Sequence, residues 1–245
     1  MFRLLEFILP SIIGIMVHKR ETLTPKERRA QDAFLDKLQI KKRKTKKALV
    51  VATVGLVGSG KSSVARELAK LIGATVIEGD AIRVELRKQK ERYEGARKIA
   101  ENATLEVIKQ GGNVIFDSDH IDQKKRASIR EKIKGSGARL IFVRTHCDLD
   151  VVVGRILTAS YRNYQEDFFG GASSKWQGSA QSKGVAVKIR EMWRRTPHHY
   201  RWENKVGGKW ILKKLPFAIF AEIDTTGSQD WKKKVERLFK KLNTF

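Results

Sequence analysis

The stretch that most constrains this chain is Gly55-Leu56-Val57-Gly58-Ser59-Gly60-Lys61-Ser62, which fills the pattern G-x-x-x-x-G-K-[ST] directly after the apolar run Ala48 to Val54. An apolar, β-branched run, a glycine-rich turn and then amphipathic spacing predict strand, loop and helix in that order. Glycines let backbone amides turn inward on a phosphate, and the helix N-terminus adds partial positive charge. Gly55, Gly58, Ser59, Gly60, Lys61, Ser62 and Ser63 are therefore candidate nucleotide-binding residues. In such a loop Lys61 reaches the outer phosphates and the Ser62 hydroxyl can hold Mg²⁺, so a nucleoside triphosphate is the expected ligand.

The rest of the chain repeats the alternation. Candidate strands run from Ala48 to Val54, Ala74 to Glu78, Asn113 to Asp117, Ala138 to Arg144 and Phe217 to Ile223. Between them lie helical faces: Val64, Leu68, Leu71 and Ile72; then Ile99, Ala100, Ala103 and Val107; then Ile129 and Ile133. Short apolar strands alternating with amphipathic helices predict a doubly wound α/β domain, a five-stranded parallel sheet sandwiched by helices. A Lys-rich amphipathic helix from Trp231 to Leu242 closes the chain. The Gly/Ser-rich stretch from Gly170 to Gly184 reads as a loop in the long connection between the fourth and fifth strands.

Residues 1–47 form an extension ahead of the domain at 48–245. The first seventeen are apolar but carry Arg3, Glu6 and Pro10, too short a run to span a membrane and without a small-residue cleavage site. A packed segment, an interfacial anchor and a start codon assigned too early are the readings left, with membrane anchoring the least favoured. Thr24-Pro25-Lys26-Glu27 is a capping box with proline at the first helical position, and it predicts a helix to about Leu38. The run from Lys41 to Lys47 places six cations in seven residues and reads as a solvated linker, with a phosphate-contacting or membrane-surface role as the less favoured reading.

Composition narrows the partners. With 51 Lys and Arg against 27 Asp and Glu, the formal charge is +24, which draws polyanions and keeps a nucleic-acid partner in play. The single Cys147 excludes a disulfide scaffold and a thiolate zinc cluster, and it fits a reducing cytoplasm.

Binding a triphosphate is not a reaction, so the carboxylates at neighbouring strand ends matter. Asp80 and Arg83 follow the second strand three residues apart. On a helix they face one cleft, the carboxylate taking a hydroxyl proton and the guanidinium orienting an anion. Asp117 ends the third strand and is the candidate second holder of Mg²⁺. Asp119, His120 and Asp122 follow closely and could touch substrate, but their spacing is not that of a metal site and they read rather as solvated loop residues. Between Lys188 and Trp202, cations interleave with Trp193, Tyr200 and Trp202, as a single-stranded nucleic-acid site requires, although a helix with core aromatics and solvated arginines fits slightly better. His198 and His199 are adjacent and make a poor metal pair.

From Ala48 to Ile223 the chain resembles the small P-loop kinases of the polynucleotide-kinase-like type, grouped among AAA-like ATPase domains and related to zeta-toxin and chloramphenicol phosphotransferase kinases. The resemblance rests on GLVGSGKSS, GDAIR, NVIFDSD and the run Thr145 to Ile156. It implies a P-loop NTPase fold, a general base at Asp80, a substrate-side arginine at Arg83, and a lid over about residues 150–184. The lid's arginines, Arg155 and the less well matched Arg162, would close on the triphosphate. The implied activity is transfer of the γ-phosphoryl group of ATP to a hydroxyl of a small metabolite, a nucleotide or a nucleic-acid end. The alternative is a non-kinase, nucleotide-gated ATPase or binding module acting on nucleic acid or at a membrane surface; the Asp80/Arg83 pair and the lid argue against it.

Overall fold

The computed structural model describes residues 22–161, 179–205, 207–227 and 230–243. Strands are β1 (Leu49–Val54), β2 (Ala74–Glu78), β3 (Asn113–Asp117), β4 (Arg139–His146), β5 (Tyr200–Glu203), β6 (Lys209–Leu212) and β7 (Ala221–Asp224). Helices are α1 (Pro25–Leu35), α2 (Lys61–Ile72), α3 (Gly79–Lys88), α4 (Ala96–Lys109), α5 (Gln123–Ile133), α6 (Leu149–Thr158), α7 (Ala180–His199) and α8 (Asp230–Asn243).

Every residue of β1 is buried, which requires neighbours on both edges and cover on both faces. It lies mid-sheet in the order β2-β3-β1-β4-β7, all pairs parallel, as the alternation predicts. The two-residue period sorts its side chains. Val50, with Val114 and Phe116 of β3, packs under α1, α3, α4 and α5 against Phe34, Ile82, Ile99 and Ile129. Leu49 and Val51, with Ile115, Ile141 and Val143, pack under α2 and α8 against Val64, Leu68, Val235 and Leu238.

The described part of the extension, residues 22–47, is tied to this sheet, and the apolar segment at residues 1–17 lies outside the described residues. Thr24 and Glu27 form the expected capping box, with Glu27 N donating to Thr24 Oγ1 at 3.1 Å and Thr24 N to Glu27 Oε2 at 2.8 Å. Helix α1 stops at Leu35 rather than Leu38. The next residues wind more tightly, Lys37 N to Phe34 O and Leu38 N to Leu35 O, the three-residue bonds that close many helices. The basic run exposes its lysines but docks its backbone: Lys42 bridges Gly112, Lys44 N donates to Ile72 O at 2.9 Å, and Thr45 is buried on Asn113.

Other expectations shift. Strand β4 continues past Arg144 through His146. Strand β7 starts only at Ala221, because Phe217 and Ile219 pack beside Ala52, Val54 and Phe142 instead of pairing. Helix α7 takes Ser179 as its cap and absorbs the end of the Gly/Ser-rich stretch to Gly184, whose residues 170–178 lie outside the described residues. An antiparallel pair, β5-β6, was not anticipated; its turn holds Gly207 and Gly208 at φ +84° and +56°. The fully buried Arg144 fastens this pair to the sheet by donating to Lys213 O, His199 O and Glu222 Oε1. Among the described residues no helix is long and apolar enough to cross a membrane.

Candidate active site

The loop after β1 is shaped by glycines with left-handed backbone. Gly58 and Gly60 both have φ +81°, and a Cβ would meet Val152 Cγ1 at 2.9 Å in one case and Thr225 Oγ1 at 3.0 Å in the other. Gly60 caps α2, so the amides at its start face the loop's concavity. Lys61 folds back, its Nζ donating to Gly55 O at 2.9 Å and Leu56 O at 2.8 Å. Burial pulls its ammonium below the ordinary lysine range, against the opposing pull of Asp119 and Asp117.

Around this loop opens a cleft of about 510 Å³, lined among others by Gly58, Gly60, Lys61, Ser62, Ser63, Asp80, Arg83, Asp117 and Arg155. The sequence-predicted base pair is therefore beside the loop, with Arg83 Nη1 2.5 Å from Asp80 Oδ1. Register places Glu78 opposite Asp117, so β2 and β3 deliver their terminal carboxylates to the same rim. Gly55 and Ser59 act on the loop instead of lining the cleft: Gly55 N donates to Asp119 Oδ1 at 3.2 Å, and the buried Ser59 Oγ lies 2.8 Å from Thr145 Oγ1. Arg155 lines the cleft but is held at its edge, Nη1 donating to Gly58 O at 3.2 Å and Thr225 Oγ1 at 3.0 Å. Arg162 lies outside the described residues.

Two expectations are corrected. Asp119 is not a solvated loop residue: its side chain is only 10% exposed. It accepts from Gly55 N, Ile121 N, Arg195 Nη1 at 3.0 Å and His199 Nε2 at 3.1 Å. Burial alone would raise its carboxyl, but His199, Lys61 and Arg195 outweigh that and hold it far below the ordinary range. His120 is buried too, with Nδ1 3.1 Å from both Thr53 O and Ser118 O, and burial pushes its ring down to about 4. Asp122 is exposed and caps α5.

Helix α7 supplies residues that the sequence reading missed. Lys188, Glu191 and Arg195 share one face by spacing and all line the cleft. Arg195 bridges Asp119 and Glu191 Oε1 at 2.5 Å. The signal was a charged stripe at i, i+3 and i+7, hidden among the neighbouring aromatics. Of those aromatics, Tyr200 is buried, its hydroxyl donating to Cys147 O at 2.8 Å. Trp193 and Trp202 are half-exposed and cluster on Trp210, with ring centroids at 6.1 and 5.3 Å.

A second cavity, about 550 Å³, adjoins the cleft between α3, α4 and α5. It shares Gly79, Arg83, Ser118 and Lys125 with the cleft.

In sequence, residues 50–168 match the AAA domain family. The solved structure of APE1195 covers 81% of this chain and 96% of its own at 18% identity, with a TM-score of 0.52. The chain has the P-loop NTPase fold. Two further likenesses are the Mycobacterium tuberculosis APS kinase CysC, solved with AMPPNP and APS, and a shikimate kinase from Bacteroides thetaiotaomicron. The first is 20% identical with a TM-score of 0.48, covering 79% of this chain and 96% of its own. The second is 15% identical at 0.46, covering 79% and 98%. No curated protein matches the chain in sequence.

Proposed function

We propose that this P-loop domain is an ATP-dependent phosphotransferase acting on a hydroxyl acceptor. The observation that carries the proposal is that Lys61 and the loop line one cleft with the Asp80/Arg83 pair, and that a second cavity opens beside Arg83. Such a layout suits two ligands meeting at a carboxylate, whereas a nucleotide-gated binding module needs no second cavity at that point.

The residues present fit a triphosphate. The left-handed glycines leave a cradle that side chains would fill, and Lys61 ties up loop carbonyls with an ammonium that an anionic phosphate would draw outward. ATP, in preference to another nucleotide, follows from the sequence resemblance. Among the described residues no group of three His, Cys, Asp or Glu side chains could cage a metal, so a cation here would rely on phosphate oxygens. That suits Mg²⁺, which takes one or two protein oxygens and keeps the rest for phosphate and water; Ser62 and Asp117 would hold it. When bound, Mg²⁺ neutralises charge on the phosphate tail.

In the reaction, the acceptor oxygen bonds to the γ-phosphorus as the bond from that phosphorus to the β,γ-bridging oxygen breaks, and ADP leaves with the electron pair. Asp80 orients the acceptor hydroxyl and takes its proton. Arg83, released from Asp80 by the incoming ligand, faces the transferred group. Lys61 and the loop amides stabilise its charge, and α7 narrows access of water from the opposite wall. Arg155 fixes the loop edge through Gly58 and Thr225.

The test is label transfer from γ-labelled ATP to the small-molecule fraction of a cell extract. Labelled products are expected with the wild type and not with Lys61→Ala. ATP hydrolysis without any labelled acceptor would favour the gated-module reading instead.

A further inference from the structure

The second cavity also carries information about what it accepts, and this reading rests on the phosphotransferase proposal. Most charges on its wall are already matched. Arg83 pairs with Asp80, Arg97 pairs with Glu101 Oε2 at 3.2 Å, and Asp122 is occupied in capping α5, 2.7 Å from Lys124 N. Lys124 and Lys125 remain, with no carboxylate among the described residues within ion-pair distance, against one exposed acid, Glu94. Lys125 sits where the cavity meets the cleft, partly buried, with its Nζ donating to Asp119 O at 3.3 Å. Burial lowers its ammonium's pKa first, then Arg195 and Arg83, while Asp119 opposes them. A sheltered ammonium that shares a cleft with these two guanidiniums is stabilised by any anion that enters.

Apart from Ser118 and Ser128, the remaining wall is largely apolar and aromatic. Tyr93, Phe116, Ala96, Ala100 and Ile129 line it, and His120 meets Phe116 edge-on with centroids 5.4 Å apart. The two nearest neighbours of His120 Nδ1 are carbonyl oxygens at 3.1 Å, with the Ser118 hydroxyl farther off at 3.5 Å, so that nitrogen carries the proton and Nε2 is left as a neutral acceptor. The cavity thus combines an apolar and aromatic wall, neutral hydrogen-bonding groups and a cation without an ion-pair partner next to Asp80's helix. At about 550 Å³ it suits a compact metabolite and not a macromolecular chain end buried whole.

We propose that the phosphoryl acceptor is a small hydroxylated compound that itself bears an anionic group, a carboxylate or a phosphate, and that Lys125 selects it by pairing with that group. Neutral polyols of the same size lack the partner that Lys125 requires.

The experiment separates this inference from the one beneath it. Labelled products formed from γ-labelled ATP and a small-molecule extract are resolved by anion exchange beside glucose 6-phosphate, the monoester of a neutral parent. Products retained more strongly than that standard support the inference; products that co-elute with it overturn the inference while leaving the phosphotransferase reading intact. No product above the Lys61→Ala blank overturns both. With the parent of the main product as acceptor, Lys125→Met is expected to raise the acceptor KM about tenfold or more while leaving the KM for ATP within about twofold, and Lys125→Arg is expected to restore it. A Lys125→Met protein whose KM rises for ATP instead assigns the lysine to the nucleotide and overturns the selection role.

Discussion

Two carboxylate–arginine pairs face the same cleft in opposite surroundings. Asp80 and Arg83 sit three residues apart on one helix, 2.5 Å from each other, with side chains 52% and 35% exposed. Asp119 and Arg195 sit 76 residues apart on different elements, 3.0 Å from each other, with side chains 10% and 26% exposed. The first pair is held by a single contact that solvent or ligand can replace. The second is one edge of a network through Gly55, Ile121, His199 and Glu191 that joins the loop to α7. Exposure makes a pair available for chemistry, and burial turns the same two groups into structure.

The contrast breaks most visibly in activity. Asp80→Asn keeps the shape but removes the proposed proton acceptor, so transfer is expected to fall by about 10²–10⁴-fold in kcat. The urea midpoint should not move, since the lost ion pair is partly solvated. A variant that transfers phosphate at the parent rate removes Asp80 from the mechanism.

Asp119→Ala should do the reverse and act first on stability. It leaves Arg195, His199 and the Gly55 amide without their shared acceptor, and breaking such a buried pair costs about 3–5 kcal/mol, read by urea unfolding. A loss below about 1 kcal/mol would mean that the network is not structural and that the contrast with Asp80 is false.

Acid offers a finer test, because two buried groups respond in separate windows. His120 has its folded pKa pushed down to about 4 against an unfolded value of about 6.5. Above about 6.5 the ring is neutral in both states. As pH falls to about 4 only the unfolded chain gains the proton, so stability is lost by up to about 1.4 kcal/mol per pH unit. Asp119 is depressed as a carboxylate, so its contribution is present above about 3.9, the unfolded value, and is lost only below it. His146 is also lowered by burial and adds to the first window. His120→Asn is therefore expected to flatten the urea midpoint between about pH 6.5 and 4 without removing the steeper loss in stronger acid. An unchanged profile would place the titration on His146 alone.

What the sequence makes legible follows the same line. Local relations were readable: the capping box at Thr24, the loop from Gly55 to Ser62, and Asp80 with Arg83 each lie within one turn or one motif. The register that puts Glu78 against Asp117 was implicit in parallel strands ending together. Asp119 and Arg195 were not readable as partners, because a loop aspartate and a helix arginine so far apart carry no shared periodicity. Lys188, Glu191 and Arg195 do carry one, but among the interleaved aromatics the pattern fits a helix with core aromatics and solvated arginines slightly better than base stacking, and neither reading puts these three side chains in the cleft. The β5-β6 pair was missed for a different reason: four-residue strands give alternation too little length to show, and only Gly207-Gly208 marked the turn.

A third pair completes the series and predicts the smallest effect. Arg66 and Glu78 also line the cleft, but their closest atoms are 4.0 Å apart and their side chains are 64% and 46% exposed. At that distance in water the attraction is weak and the entropy of two free side chains opposes it, so Arg66→Ala should change unfolding stability by less than about 0.5 kcal/mol. If burial is what separates structure from chemistry at this site, the stability loss for Asp119–Arg195 must exceed that for either of the solvated pairs, Asp80–Arg83 and Arg66–Glu78. An Arg66→Ala loss approaching that of Asp119→Ala would show that proximity to the loop, and not exclusion of water, sets the strength of these contacts.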